Sequence, residues 1–254
     1  MALGSIQSSA KTPRAYAAVF AGGVGSRMKG AQIPKQFLQL GGKPIIAHTL
    51  QHFQDASEIA AVAVACYEPC IGELKRIVEQ YSLFKVEAVV PGGTTGQDSI
   101  RNALVALGGV ADPPAAGDIV LVHDGVRPLI DGKTISACIA SVAEHGCTAV
   151  TAPVTETVVI VEDGSVQGVV DRSKCQLARA PQGFFFGELM AVHARARSEG
   201  FHDAIDSVSL MARYGHRIYT VPGPEENIKI TTQRDFFAFK SFVDMKEVAQ
   251  IWEP

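Results

Sequence analysis

The sequence predicts an α/β fold: a mostly parallel sheet with helices on both faces and a protruding β-hairpin arm. Three observations carry this. Strand-length apolar runs alternate with segments of helical spacing from Ala15 to Pro153. The first of these runs ends abruptly in a glycine-rich loop. After Val154 the alternation stops, and two β-branched runs flank Asp163-Gly164, a hairpin turn signal.

Taken in order, residues 1–13 are polar and rich in small residues, and read as a flexible tail without the apolar core of a signal peptide. A single domain, 14–254, follows. Ala15 to Phe20 reads as a buried strand. Ile45 to Phe53 reads as a helix that starts after Pro44. Ala60 to Ala65 is a second strand, and Ile71 to Tyr81 a helix by the spacing of Ile71, Leu74, Ile77 and Val78. Val86 to Val90 is a third strand. Ser99 to Leu107 is a helix with Asp98 or Ser99 as its N-cap. Ile119 to Val122 is a fourth strand ending at His123-Asp124. Thr134 to Glu144 is helical, and Thr148 to Pro153 is a fifth strand. The arm, 155–180, is an inserted excursion whose apolar residues need a surface to cover them, such as a second subunit. Beyond it come helices near Gly187 to Arg197 and Asp206 to Tyr214, a strand at Arg217 to Val221, and a last helix after Thr232.

Composition narrows the function. An apolar fraction of 47% over 254 residues supports a substantial core. A net charge of −3 excludes a broad basic face, and with it nucleic acid or an anionic membrane surface as partner. No apolar run approaches the roughly 20 residues of a membrane span. The five cysteines follow no zinc spacing, which fits reduced thiols and a cytoplasmic protein.

The chemistry concentrates at strand ends. Ala21-Gly22-Gly23-Val24-Gly25-Ser26-Arg27-Met28 follows the first strand, and Pro34-Lys35-Gln36 follows soon after. Glycines let backbone amides approach phosphates closely, and Arg27 and Lys35 can offset their charge. Met28 stands where a dinucleotide fingerprint needs a small residue, and Gly25 to Gly30 is followed by Ala31 rather than the Lys-Ser/Thr of a Walker loop. A nucleoside triphosphate loop of the nucleotidyltransferase kind remains, against an ordinary glycine-rich strand-to-helix turn. Gly92-Gly93-Thr94-Thr95-Gly96-Gln97-Asp98-Ser99 either reads a base or sugar or is only a capped helix start. Asp124 in His123-Asp124-Gly125-Val126-Arg127-Pro128 is a natural Mg²⁺ ligand beside phosphates, or half of a structural Asp–Arg pair. Lys229 on a short apolar run must reach water or meet an anion. His123, His145, His193 and His216 lack ligand spacing and read as structural or surface residues. In this architecture ligands lie beyond the carboxyl ends of the strands, so the loops after Phe20, Val90 and Val122 converge on one crevice.

These motifs, in this order, together with Val170-Asp171-Arg172, Pro181-Gln182 and Asn227-Ile228-Lys229-Ile230-Thr231, resemble the 2-C-methyl-D-erythritol 4-phosphate cytidylyltransferase family and its sibling, the ribitol 5-phosphate cytidylyltransferases. The similarity runs from Ala15 to about Asp244. The resemblance implies a Rossmann-like sheet of the nucleotidyltransferase type and CMP transfer from CTP to a polyol phosphate with Mg²⁺, releasing pyrophosphate. It also implies a homodimer clasped by the β-arm. Position by position, it implies catalytic roles for Arg27, Lys35 and Lys229. It places CTP on Ala21, Gly22, Gly23, Gly25, Gly92, Gly93 and Ser99. It gives the metal to Asp124, and the polyol phosphate to Asp124, Arg127, and Thr157 and Arg172 reaching across from the arm. Two positions depart: Ala180-Pro181-Gln182 replaces the usual Thr-Pro-Gln, and Ile205-Asp206-Ser207 replaces Thr-Asp-Glu or Thr-Asp-Asp. Both bear on the acceptor. The acceptor expected from the commoner member is 2-C-methyl-D-erythritol 4-phosphate, for isoprenoid precursor synthesis; ribitol 5-phosphate is the alternative, favoured by the Ala-Gly-Gly start and by Val126. A nucleotide-sugar glycosyltransferase fits less well, because Val126 stands where an Asp-x-Asp metal site needs its second carboxylate. A non-catalytic nucleotide binder is the other rival class.

Overall fold

The computed structural model describes residues 12–23 and 33–252. The strands are β1 (Ala15–Ala21), β2 (Gln39–Leu40), β3 (Lys43–Pro44), β4 (Ile59–Cys66), β5 (Val86–Pro91), β6 (Ile119–Asp124), β7 (Cys147–Pro153), β8 (Val159–Glu162), β9 (Ser165–Val169), β10 (Gln176–Phe185) and β11 (Tyr219–Pro222). The helices are α1 (Ile45–Asp55), α2 (Ile71–Gln80), α3 (Gly96–Leu107), α4 (Gly132–His145), α5 (Phe186–Ser198), α6 (Ser207–Arg213) and α7 (Gln233–Trp252).

Strand β1 shows why the chain layers as it does. Its side chains alternate between faces with period two. Ala15, Ala17, Val19 and Ala21 join one core with Ile46, Leu50 and Phe53 of α1, Leu74 and Ile77 of α2, and Ile135, Cys138 and Val142 of α4. Tyr16 and Ala18 join a second core with Ile100, Ala103 and Leu104 of α3, Leu189 and Val192 of α5, and Leu210 and Met211 of α6. A strand buried on both faces reads as a continuous apolar run, which is what residues 15–21 are. A third, smaller cluster docks α7 through Phe239 onto Leu40, Ile45, Val126, Leu129 and Ile230.

The main sheet has the order β11-β7-β10-β6-β1-β4-β5. Every neighbouring pair is parallel except those made by β10, which runs antiparallel to β6 on one side and β7 on the other. The sequence pattern does not signal this strand: Arg179 and Pro181 interrupt it. Its register shows the consequence. From Ala178 to Gln182 the strand takes four steps while β7 takes two, from Thr151 to Ala149. Proline has no N–H for the ladder and is tolerated inside a sheet at such an irregularity.

Strands β8 and β9 form their own two-stranded sheet around Asp163 and Gly164, both at positive φ. Val158, Val159, Ile160, Val161, Val166 and Val169 are exposed on it. The expected arm boundary at residue 180 falls inside β10, since Gln176, Leu177 and Ala178 already pair with β7. The expected tail lies almost wholly outside the described residues. No described helix is long and apolar enough to cross a membrane, and the five cysteines are free thiols.

Candidate functional site

Strands β1, β4, β5 and β6 end at one edge of the sheet, and a crevice opens there with two lobes. The first, about 250 Å³, is lined by Gly22, Gly23, Lys35, Gly93, Thr95 and Ser99 among others. The second, about 360 Å³, is lined by Ile100, Arg127, Arg179, Gln182, Ile205 and Ser207 among others. Phe20, Gly96, Asp124 and Lys229 line both, so the lobes share a wall. Separately each sits near or below the roughly 300–1,000 Å³ of ligand sites; joined at that wall they make one ordinary site.

The glycine lobe is built from backbone. A Cβ at Gly22 would come within 2.9 Å of Ser99 Oγ, and one at Gly93 within 2.1 Å of Asp98 Cβ and 2.9 Å of its backbone carbon. Only glycine lets the β1 loop lie against Ser99 at Gly22, and lets the second loop fold back on Asp98 at Gly93. Ser99 Oγ accepts the Gly93 N–H at 3.0 Å and donates to the Thr95 carbonyl at 2.9 Å. Its hydroxyl is therefore spent on shaping the loop. Helix α3 starts earlier than the sequence suggests: Thr95 is the N-cap, its Oγ1 accepting from the Asp98 N–H, while Asp98 accepts from Thr94 Oγ1. Lys35 begins a short 3₁₀ turn tied to β1 by buried Gln36, whose Nε2 donates to the Ala21 carbonyl at 2.9 Å. Gly25 and Arg27 lie outside the described residues.

The shared wall is electrostatic. Asp124, the last residue of β6, is buried. Arg127 Nε donates to its Oδ2 at 2.8 Å, and Lys229 Nζ pairs with its Oδ1. Burial alone would raise the Asp124 pKa, but the two cations outweigh it and hold the carboxyl below its ordinary value. Arg127 Nη1 also donates to the Asn227 carbonyl at 2.9 Å, and Asn227 Nδ2 donates to the Ala180 carbonyl at 2.6 Å. Asn227, fully buried, thus ties β6, β10 and the segment carrying Lys229 together. Backbone adds a further tie, Ile230 N–H to the Val126 carbonyl at 2.9 Å. Lys229 Nζ stands 5.4 Å over the Phe20 ring. The Asp124–Arg127 pair is thus formed, and the anion that Lys229 meets in this structure is Asp124 itself.

His123, one residue before Asp124, is fully buried against Phe53, and burial pushes its pKa down to about 3. It stays neutral and structural. A hard cation at the wall would take Asp124 as its protein ligand. Among the described residues the one group of three candidate ligands is Cys147, Glu188 and His216, at the far end of the sheet, where Cys147 pairs with Phe184.

Thr157 and Arg172 are not brought to the crevice of their own chain. Thr157 is exposed beside the arm, and Arg172 Nη1 donates to the Thr155 carbonyl at 2.8 Å. Of the two departures, Ala180 is buried with its carbonyl on Asn227, and Ile205 is 95% exposed at the rim of the second lobe. Asp206 caps α6 through Ser209 N–H at 2.8 Å and accepts from Gln182 Nε2 at 2.8 Å. Gln182 and Asn227 stand in the motifs Pro181-Gln182 and Asn227-Ile228-Lys229-Ile230-Thr231 without a role of their own there, and Arg179 carries no signal in the sequence; β10 and the buried polar loop place them.

The sheet order and the crevice at its carboxyl edge define a nucleotidyltransferase of the α/β type. Among solved structures, the fold is similar to that of 4-diphosphocytidyl-2C-methyl-D-erythritol synthase from Anaerococcus prevotii, at a TM-score of 0.77 and 24% identity, covering 92% of this chain and 100% of that one. The sequence profile of the IspD family, 2-C-methyl-D-erythritol 4-phosphate cytidylyltransferase, matches residues 15–244, and the chain belongs to that family. It is 44% identical over 237 residues to the ribitol-5-phosphate cytidylyltransferase of Vibrio parahaemolyticus, covering 93% of this chain and 98% of the relative. It is 37% identical over 230 residues to the 2-C-methyl-D-erythritol 4-phosphate cytidylyltransferase of Syntrophotalea carbinolica, covering 90% and 96%. The chain is a cytidylyltransferase.

Proposed function

We propose that this enzyme transfers CMP from CTP to ribitol 5-phosphate, giving CDP-ribitol and pyrophosphate. The observation that carries the reading is the shared wall: one buried carboxylate and a lysine stand between a glycine-lined lobe and a cation-lined one. CTP occupies the first lobe, its phosphates on Gly22, Gly23, Gly25, Arg27 and Lys35 and its cytidine toward Gly92, Gly93 and the Ser99-shaped loop. The acceptor occupies the second lobe. The acceptor expectation of 2-C-methyl-D-erythritol 4-phosphate gives way here, because the ribitol-phosphate relative is the more similar of the two.

A phosphate monoester is a competent nucleophile near neutral pH, so no general base is required. Its oxygen forms a bond to the α-phosphorus of CTP as the bond to the β-phosphate oxygen breaks, and pyrophosphate carries the electron pair away. Lys35 and Lys229 flank the reacting phosphates and stabilise charge there, and Arg127 holds Asp124 in place. Asp124, ionised and oxygen-bearing, suits Mg²⁺, which takes one or two carboxylates and fills its shell with substrate phosphates. Bound there, Mg²⁺ would neutralise charge on the departing pyrophosphate. The exposed valines of β8 and β9 support a homodimer through the arm, which would bring Thr157 and Arg172 to the neighbour's acceptor. A cytoplasmic enzyme fits the free thiols.

The test is pyrophosphate release from CTP with Mg²⁺, with ribitol 5-phosphate and 2-C-methyl-D-erythritol 4-phosphate as parallel acceptors. Ribitol 5-phosphate should give the higher kcat/KM by at least tenfold. Turnover with the methylerythritol phosphate alone would overturn the acceptor assignment and leave the cytidylyl transfer intact.

A further inference from the structure

The second lobe holds two polar groups that nothing in the described chain satisfies. Arg179 lines it, and its Nε is buried without a hydrogen-bond partner. Ser207, the first residue of α6, is also buried there, and its Oγ has no partner either. Buried polar groups are ordinarily paired, so two orphans in the wall of one cavity point to a polar ligand there.

The charge inventory identifies the ligand chemistry. The carboxylates that line the lobe are both engaged: Asp124 by Arg127 and Lys229, and Asp206 by the α6 amide and Gln182. Arg179 forms no ion pair among the described residues. Burial and the neighbouring Arg127 push its guanidinium below its ordinary pKa, and Glu225 offsets this only in part. An arginine remains charged under such conditions. A cation that is partly desolvated, stands near another cation and has no ion-pair partner among the described residues is relieved by an anion. Its planar fork suits phosphate oxygens. The extra residues in β10 explain how it reaches the lobe. Irregularities of this kind re-aim side chains beside functional sites, and Pro181 holds this one in place.

We propose that Arg179 and Ser207 form the acceptor-reading pair of this enzyme, the guanidinium gripping the acceptor's phosphate and the Ser207 hydroxyl a polyol hydroxyl. The proposal rests on the assignment of the second lobe to the acceptor. It accounts for the loss of a hydroxyl at Ala180: the recognition group has moved one residue back along β10 and become charged. It also makes both contacts belong to the same chain, independent of the arm.

The experiment is steady-state kinetics of Arg179→Ala, Arg179→Lys and Ser207→Ala on the full-length enzyme, with whichever acceptor the wild type turns over. Arg179→Ala should raise KM for the acceptor about 10- to 100-fold, the loss typical of a charge-assisted contact, and leave KM for CTP within twofold. Arg179→Lys should recover part of that loss as a point charge without the fork. Ser207→Ala should raise acceptor KM about 3- to 10-fold. Equal rises in both KM values, or an unchanged acceptor KM in Arg179→Ala, would overturn the pair. Calorimetric titration of that same acceptor into wild type and Arg179→Ala, each first checked for an unchanged melting transition, gives a second reading without turnover. Binding that is equal in the two would also sink the proposal. Failure of the acceptor assignment shows separately, as absent wild-type turnover with ribitol 5-phosphate.

Discussion

The two lobes of the crevice are built by opposite means. The glycine lobe is made by removing side chains, so that the loop after β1 meets the loop after β5 through Gly22 and Gly92, and Gly93 lets the second loop fold back on Asp98. The second lobe is made by adding side chains, Arg127, Arg179, Gln182 and Ser207, delivered from a helix start, a loop and an irregular strand. The difference teaches where each can vary. A lobe of backbone recognises what every nucleoside triphosphate shares and tolerates almost no substitution. A lobe of side chains can be retuned one residue at a time, and the departures from the family pattern fall there.

Substitutions can break or sharpen this contrast. The largest effect is expected at the wall that the lobes share. Lys229→Ala should lower kcat about 10²- to 10³-fold while changing KM for either substrate only a few fold, since its charge acts on the reacting phosphates. A proportional loss of CTP affinity would instead make Lys229 a part of the glycine lobe alone. A smaller effect is expected from Gly93→Ala. The new Cβ forces the loop away from Asp98, and the roughly 1–3 kcal/mol of overpacking would appear as about 5- to 150-fold weaker CTP binding by titration, with acceptor KM unchanged. If the acceptor suffered equally, the lobes would not be separable. The smallest is Ile205→Thr at the exposed rim. Stability should stay within about 0.5 kcal/mol by chemical denaturation, and acceptor KM should shift no more than about threefold. A larger shift would make the rim, rather than Arg179 and Ser207, the reader of the acceptor.

The same contrast decides what the sequence reveals. Close backbone approach leaves glycines in the chain, and buried strands leave apolar runs, so β1, β4, β6 and the glycine lobe are legible from residues 15–124 alone. Asp124, Arg127 and Lys229 are legible as candidates, and the structure brings them together. Strand β10 is not, because a charged residue and a proline sit where alternation is expected, at the irregularity between Ala178 and Gln182. Arg179 is missed for that reason, and Asn227, although part of a motif, gives no sign in the sequence of the buried tie it makes to Arg127 and Ala180. The cap of α3 is missed by a few residues because Thr95, Asp98 and Ser99 all offer side-chain oxygens, and only the folded loop selects Thr95.

The tie through Asn227 has a consequence for the order in which the molecule becomes active. A ribosome makes this chain from its amino end, and the strands that frame the crevice, β1 through β10, all precede Phe186. Asn227, Lys229 and Ile230, which dock on Arg127, Ala180 and Val126, are made after all of those strands. A nascent sheet therefore has its glycine cradle long before it has the second cation on Asp124. Nucleotide held by the glycine cradle of a growing chain would wait unreacted until the segment 227–230 docks.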